Sequence, residues 1–297
     1  FGISTSLGFG ASQVNAGFNY LFGLPSNTGV QIAIMAGVVG LAVISVTTGL
    51  DKGIRRLSET NMVLAIIPLL IVLFLGPTVF LLQAFMQNTG AYLSDIVRNT
   101  FNLYTYEKTD WIGGWTIFYW GWWIAWAPFV GLFIARISKG RTIREFILGG
   151  LFAPTLATFI WLSVFGGTAL YLEETQGASI SAAVSANIST SLFKTLAYLP
   201  LDQITTALST LVIVTFFVTS SDSGSLVIDI LTAGGDQDPP KNQRIFWAVT
   251  EGVIASILLL AGGLNVLQTV AIASGLPFAL IMVGMCFALF KELRNEF

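Results

Sequence analysis

The sequence predicts an all-α integral membrane protein, and three observations carry that prediction. Hydrophobic residues make up 54% of the 297 and charged residues only 10%, against about 25% charged in an ordinary soluble domain. Mean hydropathy is +0.78. The few charges are gathered between apolar runs rather than spread over them, so lipid is the solvent for most of the surface. The runs approach or exceed the ~20 residues that cross ~30 Å of hydrocarbon at 1.5 Å each.

Eight segments read as membrane helices in a single transmembrane domain over 1–297: residues 2–22, 28–50, 62–85, 111–135, 147–172, 204–233, 246–263 and 267–290. The first is the most polar. Ser4, Thr5, Ser6, Gly8, Gly10, Ser12, Gln13 and Asn15 suit a helix packed inside a bundle better than one facing lipid. Two loops, 82–110 and 173–201, are long. Within the second, Ile180, Val184, Ile188 and Leu192 recur at helical spacing, as an amphipathic helix resting on the bundle or a gating lid would.

Charge placement orients the chain. Lys52, Arg55 and Arg56 follow the second segment, Arg136, Lys139, Arg141 and Arg144 the fourth, Lys241 and Arg244 the sixth, and Lys291 and Arg294 the eighth. The opposite side has only Arg98, Lys108 and Lys194. The richer side is expected in the cytoplasm, with the carboxyl terminus on it, as in a multi-pass protein of the plasma membrane.

Other counts exclude chemistry. There is no histidine, which removes the commonest general base and metal ligand. The single cysteine, Cys286, cannot form an intrachain disulfide. A net charge of −2 without a basic patch argues against nucleic acid. No signal peptide is visible, and the opening in mid-run at Phe1 is that of a longer protein lacking its amino-terminal part.

The densest signal is Trp111-Ile-Gly-Gly-Trp115-Thr-Ile-Phe118-Tyr119-Trp120-Gly-Trp122-Trp123-Ile-Ala-Trp126-Ala-Pro-Phe129. Six of the eight tryptophans fall here. An aromatic belt at the membrane boundary accounts for Trp111 and Trp115. It does not account for Trp122, Trp123 and Trp126, roughly 11–15 residues in and near mid-bilayer. Core packing is one reading of these three. The other is a quaternary ammonium ligand, which donates no strong hydrogen bond and is held by aromatic faces at about 0.5–2 kcal/mol each.

This stretch, with the continuations Ala127-Pro128-Phe129-Val130-Gly131, Ala135-Arg136-Ile137-Ser138 and Gly140-Arg141-Thr142-Ile143-Arg144-Glu145-Phe146, closely resembles the betaine/carnitine/choline transporter family. The resemblance implies a LeuT-type fold of two inverted five-helix repeats, in which this chain supplies the last eight of twelve helices. Residues 1–86 would be the last three helices of the first repeat and 111–291 the second repeat. It implies that Trp122, Trp123 and Trp126 belong to a substrate-binding aromatic box supported by Trp120, with Phe129 and Phe133 at a gate. A homotrimer in lipid is also implied. With the opening helices of the first repeat missing, this chain alone is expected not to transport.

In the sixth segment stands Phe216-Phe217-Val218-Thr219-Ser220-Ser221-Asp222-Ser223. Mid-helix hydroxyls commonly bond back to their own helix. The resemblance instead implies sodium ligation by Thr219, Ser220 and the Phe216 carbonyl. These three share one helix face, and oxygen donors suit a hard cation. Sodium is thus the expected coupling ion and no cofactor is expected. Ile3, where the family would place a hydroxyl, argues against a second sodium site. Asp222 and Asp229, seven residues apart, are read as structural pairing with the 136–144 loop or as a proton relay.

The expected function is sodium-coupled uptake of glycine betaine or choline for osmoprotection. A carnitine/betaine exchanger, a proton-coupled choline transporter and an amino-acid symporter on the same fold are the alternatives within transport. A betaine sensor that moves nothing is another. An intramembrane hydrolase using Ser220 or Ser223 lacks a histidine to activate the serine. The protein is expected not to be an enzyme.

Overall fold

The computed structural model describes residues 1–47, 51–236 and 239–296, and the side chains of 45–47, 51–56, 136–137 and 296 lie outside that description. Its elements are α1 (Gly2–Phe22), α2 (Thr28–Thr47), α3 (Asp51–Leu75), α4 (Thr78–Phe101), a π-helical turn Ile112–Ile117 running into α5 (Phe118–Ile137), α6 (Ile143–Trp161), a second π-helical turn Leu162–Gly166 leading to α7 (Gly167–Gln176), α8 (Ile180–Ala186), a 3-10 turn Ile188–Thr190, α9 (Ser191–Leu196), α10 (Asp202–Thr232) and α11 (Lys241–Glu296). Among the described residues every regular element is helical.

Five stretches are long and apolar enough to cross a membrane: Leu57–Leu75, Ile112–Ala135, Ile143–Gln176, Asp202–Thr232 and Lys241–Asn295. The last has 55 residues, about 80 Å of helix, more than two hydrocarbon thicknesses. It breaks at Gly262 and Gly263, where Gly263 has φ 67°, a left-handed conformation that glycine adopts without a Cβ clash. This break falls on the last two residues of the seventh expected segment, just before the eighth begins at 267. Thr28–Ile44 is apolar but shorter, and the expected end of that segment at 48–50 lies outside the described residues.

α1 does not belong to the apolar set; it is the hub. Fourteen of its 21 residues are buried, and it packs against α2, α5, α9, α10 and α11. The largest core cluster joins Ile3, Leu7 and Ala11 of α1 to Met35, Val38 and Val39 of α2, Val218 of α10, and Ala255, Leu259 and Leu267 of α11. The polar residues of α1 bind its neighbours. Thr5 donates to the Leu267 carbonyl (3.1 Å), Ser4 to the Glu251 carbonyl (3.2 Å), and Ser12 and Ser189 share a hydrogen bond of 2.8 Å. Direct bonds between helices are what a polar side chain needs where no water reaches it.

Three expectations are corrected here. The segment 62–85 is not one helix: the chain breaks at Gly76-Pro77, because proline has no N–H to give to the preceding turn, and Thr78 donates its hydroxyl to the Leu73 carbonyl (2.7 Å). The long loop 82–110 is therefore mostly helix, α4. The periodic stretch 180–199 is not one helix either. Asn187 is extended (φ −159°, ψ 104°) and accepts from the Ser189 amide, so the apolar spacing is split between α8, the 3-10 turn and α9. Finally, Asp229 pairs with Arg244 of α11 at 3.3 Å rather than with the 136–144 loop. Gln243 and Trp247 reinforce that junction by donating to Thr232. Asp222 is buried and has an interaction of its own. The Arg136 side chain lies outside the described residues.

α5 is seated on α11 by glycine. A Cβ on Gly121 would stand 2.9 Å from the Ile272 Cα, and one on Gly275 would stand 2.7 Å from the Gly121 carbonyl oxygen. Gly121→Ala is expected to destabilise the protein by about 1–3 kcal/mol through overpacking. Gly149→Ala on α6, where a Cβ would meet nothing within 4 Å, is expected to be neutral or slightly stabilising. Thermal unfolding in detergent checks the contrast; equal midpoints for the two variants would refute the close seam.

Candidate binding cavity and cation face

Between α1, α5, α10 and α11 lies a cavity of about 950 Å³. α5 and its π-helical start supply Gly114, Trp115, Phe118, Tyr119, Trp122, Trp123, Trp126 and Val130. α1 adds Ser6, Phe9 and Gln13, α10 adds Phe216, Phe217 and Ser220, and α11 adds Gln268. Trp161, Leu162, Ile188, Ser189 and Ser191 close one end. Among the described residues the lining holds no charged side chain. Both π-helical turns contribute to it, as such turns often do at functional sites.

The rings form a connected ladder at helical spacing. Trp111 stacks on Trp115 (5.7 Å between centroids), Trp115 on Tyr119 (5.9 Å), and Tyr119 meets Trp122 at 6.1 Å. Trp122, Phe118 and Phe9 then close a cluster of near-parallel rings, 5.4–5.9 Å apart. Trp126 meets Phe129 edge to face at 5.2 Å and lies against α1, where a Cβ on Gly2 would come within 2.6 Å of its ring.

Of the tryptophans singled out in the sequence, Trp122, Trp123 and Trp126 are brought together on the cavity wall. Trp120 is not: it lies outside the lining, although its exposure of 68% is close to the 64% of Trp123. Trp115, ascribed to a boundary belt, is part of the wall. The buried indole N–H groups of Trp122 and Trp126 have no hydrogen-bond partner among the described residues. Phe129 packs behind Trp126 against the main core, and neither Phe129 nor Phe133 lines the cavity. Phe9, Gln13 and Gln268 were missed. Their signal was weak, a lone aromatic and two amides inside apolar runs, and only α1's central position gives them meaning.

Phe216 and Ser220 also face this cavity. Thr219, one position away, donates its hydroxyl toward the Phe216 carbonyl (2.9 Å) and the Thr215 carbonyl (3.1 Å). It accepts from the Asn61 amide (3.1 Å), which also donates to the Thr215 carbonyl (3.1 Å). Asn61, only 2% exposed, thus ties α3 to α10 beside the hydroxyl run. A hydroxyl oxygen has two lone pairs, and one of Thr219's takes the Asn61 proton.

A profile of the betaine/carnitine/choline family of transporters matches residues 1–297. The chain belongs to that family. That family is one of membrane transporters rather than enzymes. It is 50% identical over its whole length to a glycine betaine transporter of Acinetobacter baylyi, covering 45% of that protein. It is 44% identical, over 99% of its length, to the glycine betaine transporter OpuD of Bacillus subtilis, covering 57% of it. A glycine betaine/proline/choline transporter of Vibrio parahaemolyticus is 43% identical over 100% of the chain and 53% of that relative. The chain spans about half the length of the curated relatives it matches.

Removing Asn61 is expected to loosen α3 from α10. Asn61→Ala should lower stability by about 1–3 kcal/mol, since two partly buried acceptors lose a donor. Unfolding in detergent measures it, and a variant as stable as the parent would show that the pair does not hold these helices together.

Proposed function

We infer that this family member transports a small quaternary-ammonium solute, glycine betaine foremost, across the plasma membrane. The single observation that carries the inference is the cavity: a wall of aromatic faces, amides and hydroxyls with no charged side chain among its described lining. A carboxylate in the wall would favour metal ions and amines. Aromatic faces favour a cation too large and too weakly hydrated to need hydrogen bonds. A solute that carries its own compensating carboxylate enters such a wall with no net charge, which favours glycine betaine over choline. The names of the Acinetobacter and Bacillus relatives support the same solute.

Sodium is the proposed coupling ion, held by the Thr219 and Ser220 hydroxyls, with the Phe216 carbonyl joining if Thr219 turns its hydrogen away. The proposed architecture is the LeuT-type pair of inverted repeats, with residues 1–86 and 111–291 in the first and second, and with the carboxyl terminus in the cytoplasm. Access would alternate by rocking one bundle against the other. The trimer implied by the family resemblance belongs to the same proposal.

Two outcomes are expected in the protein at its natural full length. Trp123→Leu and Trp126→Leu should each weaken glycine betaine binding by about five- to thirty-fold, the loss of one aromatic face at ~1–2 kcal/mol. Trp120→Leu, on the outward side, should leave it unchanged. Equal losses at all three positions in tryptophan-fluorescence titrations would mean a general folding defect and no box. Replacing Thr219 and Ser220 together by alanine should raise the sodium concentration for half-maximal uptake, with solute affinity recovering as sodium is raised, because coupling between two ligands is reciprocal. Unchanged sodium dependence in folded protein would remove sodium from this face.

A further inference from the structure

Away from the cavity, α1, α10 and α11 close around a carboxyl group. Glu251 of α11 is 4% exposed. Its surroundings can be tested by counting hydrogens. Ser225 Oγ stands 2.9 Å from the Ser221 carbonyl oxygen and 3.2 Å from Glu251 Oε2. A serine hydroxyl has one hydrogen, and the shorter contact takes it. The longer contact would then oppose two oxygen lone pairs, unless Glu251 itself supplies a hydrogen. The other carboxyl oxygen, Oε1, is buried without a partner among the described residues. An ionised carboxylate would leave a buried charged oxygen without a protein donor, which is severely unfavourable. A neutral acid donates from Oε2 to Ser225 and leaves only a carbonyl-like oxygen unmet, a much smaller penalty.

Few ionisable side chains stand on the elements packed around Glu251. α10 contributes Asp222 and Asp229, both buried. Arg244, two turns earlier on α11, is engaged by Asp229. α1 has only Tyr20, α2 has none, and α5 has only Tyr119 and, at its end, Arg136.

The geometry points to Glu251 as a proton-binding site, its carboxyl keeping a proton for as long as α1, α10 and α11 are closed around it. Ser4 of α1 donates to the Glu251 backbone carbonyl (3.2 Å), so parting α1 from α11 undoes this contact first and admits water. The O–H bond at Oε2 then breaks, the proton leaves to water, and the carboxylate remains hydrated. The contact re-forms only when a proton returns. The ligand is a proton drawn from the aqueous phase, and the site is separate from the sodium face proposed on α10.

The test is infrared difference spectroscopy on the full-length protein in proteoliposomes at neutral pH, in the carbonyl region of protonated carboxylic acids. A band lost in Glu251→Gln and shifted in Ser225→Ala, which keeps the acid but removes its acceptor, is the expected result. Glu251→Gln should also flatten the pH dependence of uptake. Spectra that superimpose for parent and both variants would overturn the assignment. So would a Glu251→Gln protein with an altered sodium requirement and an unchanged pH profile, which would make this a metal-cation site. Should Glu251→Gln not fold, the Ser225→Ala shift decides alone, and its absence overturns the proposal.

Discussion

No water inside a bilayer will accept or donate a hydrogen bond, and the organisation of this protein follows from how α1 meets that constraint. Its serines, threonine and asparagine would be costly against lipid, so the helix sits in the middle of the bundle, where Thr5 and Ser4 bond directly to α11. Small residues make this possible. A Cβ at Gly10 would collide with the Phe217 ring, and one at Gly8 with Leu267. Side chains seated this closely on a helix backbone gain dispersion contacts, which replace the hydrophobic drive that lipid cannot provide between helices.

With α1 fixed, the aromatic helix has something to lean on. Phe9 completes the ring cluster around Trp122 and Phe118, and Gly2 lets Trp126 lie against the α1 backbone. On the far side, Gly121 and Gly275 bring α5 and α11 into backbone contact. α5 is thus held from two sides, and its tryptophans stand as a rigid wall. A wall whose faces are preset loses little freedom on binding, so more of each aromatic contact of about 0.5–2 kcal/mol is retained as affinity. The same packing leaves the polar ends of the cavity to Gln13, Gln268 and Ser220, which carry no charge.

Much of this was legible in the sequence, for physical reasons. α1 was recognised from Gly2 to Phe22 because a buried helix in a membrane needs small and polar residues together, and that mixture is written in its composition. The Trp122, Trp123 and Trp126 wall was legible because indoles that deep have few other uses. What was hidden depended on contacts. Trp120 sits in the same run, and only helix rotation against α11 turns it outward. Asn61 ends the polar run Ser58-Glu59-Thr60 and Glu251 follows Thr250, and nothing local marks either one; their partners, Thr219 and Ser225, lie 158 and 26 residues away. The break at Gly76-Pro77 was present in the letters, but the apolar residues on either side concealed it. Asn187 likewise interrupted an apolar period that continued straight through it.

On the function proposed, the aromatic wall recognises positive charge carried by a quaternary nitrogen rather than mere shape. The direct measurement is a fluorescence titration of the full-length protein with glycine betaine and with its carbon isostere, in which a quaternary carbon replaces the nitrogen. Glycine betaine is expected to bind at least about ten-fold more tightly, the ~1.4 kcal/mol equivalent of one or two cation–π contacts. Equal affinity for the two would contradict the account and reduce the wall to a hydrophobic pocket.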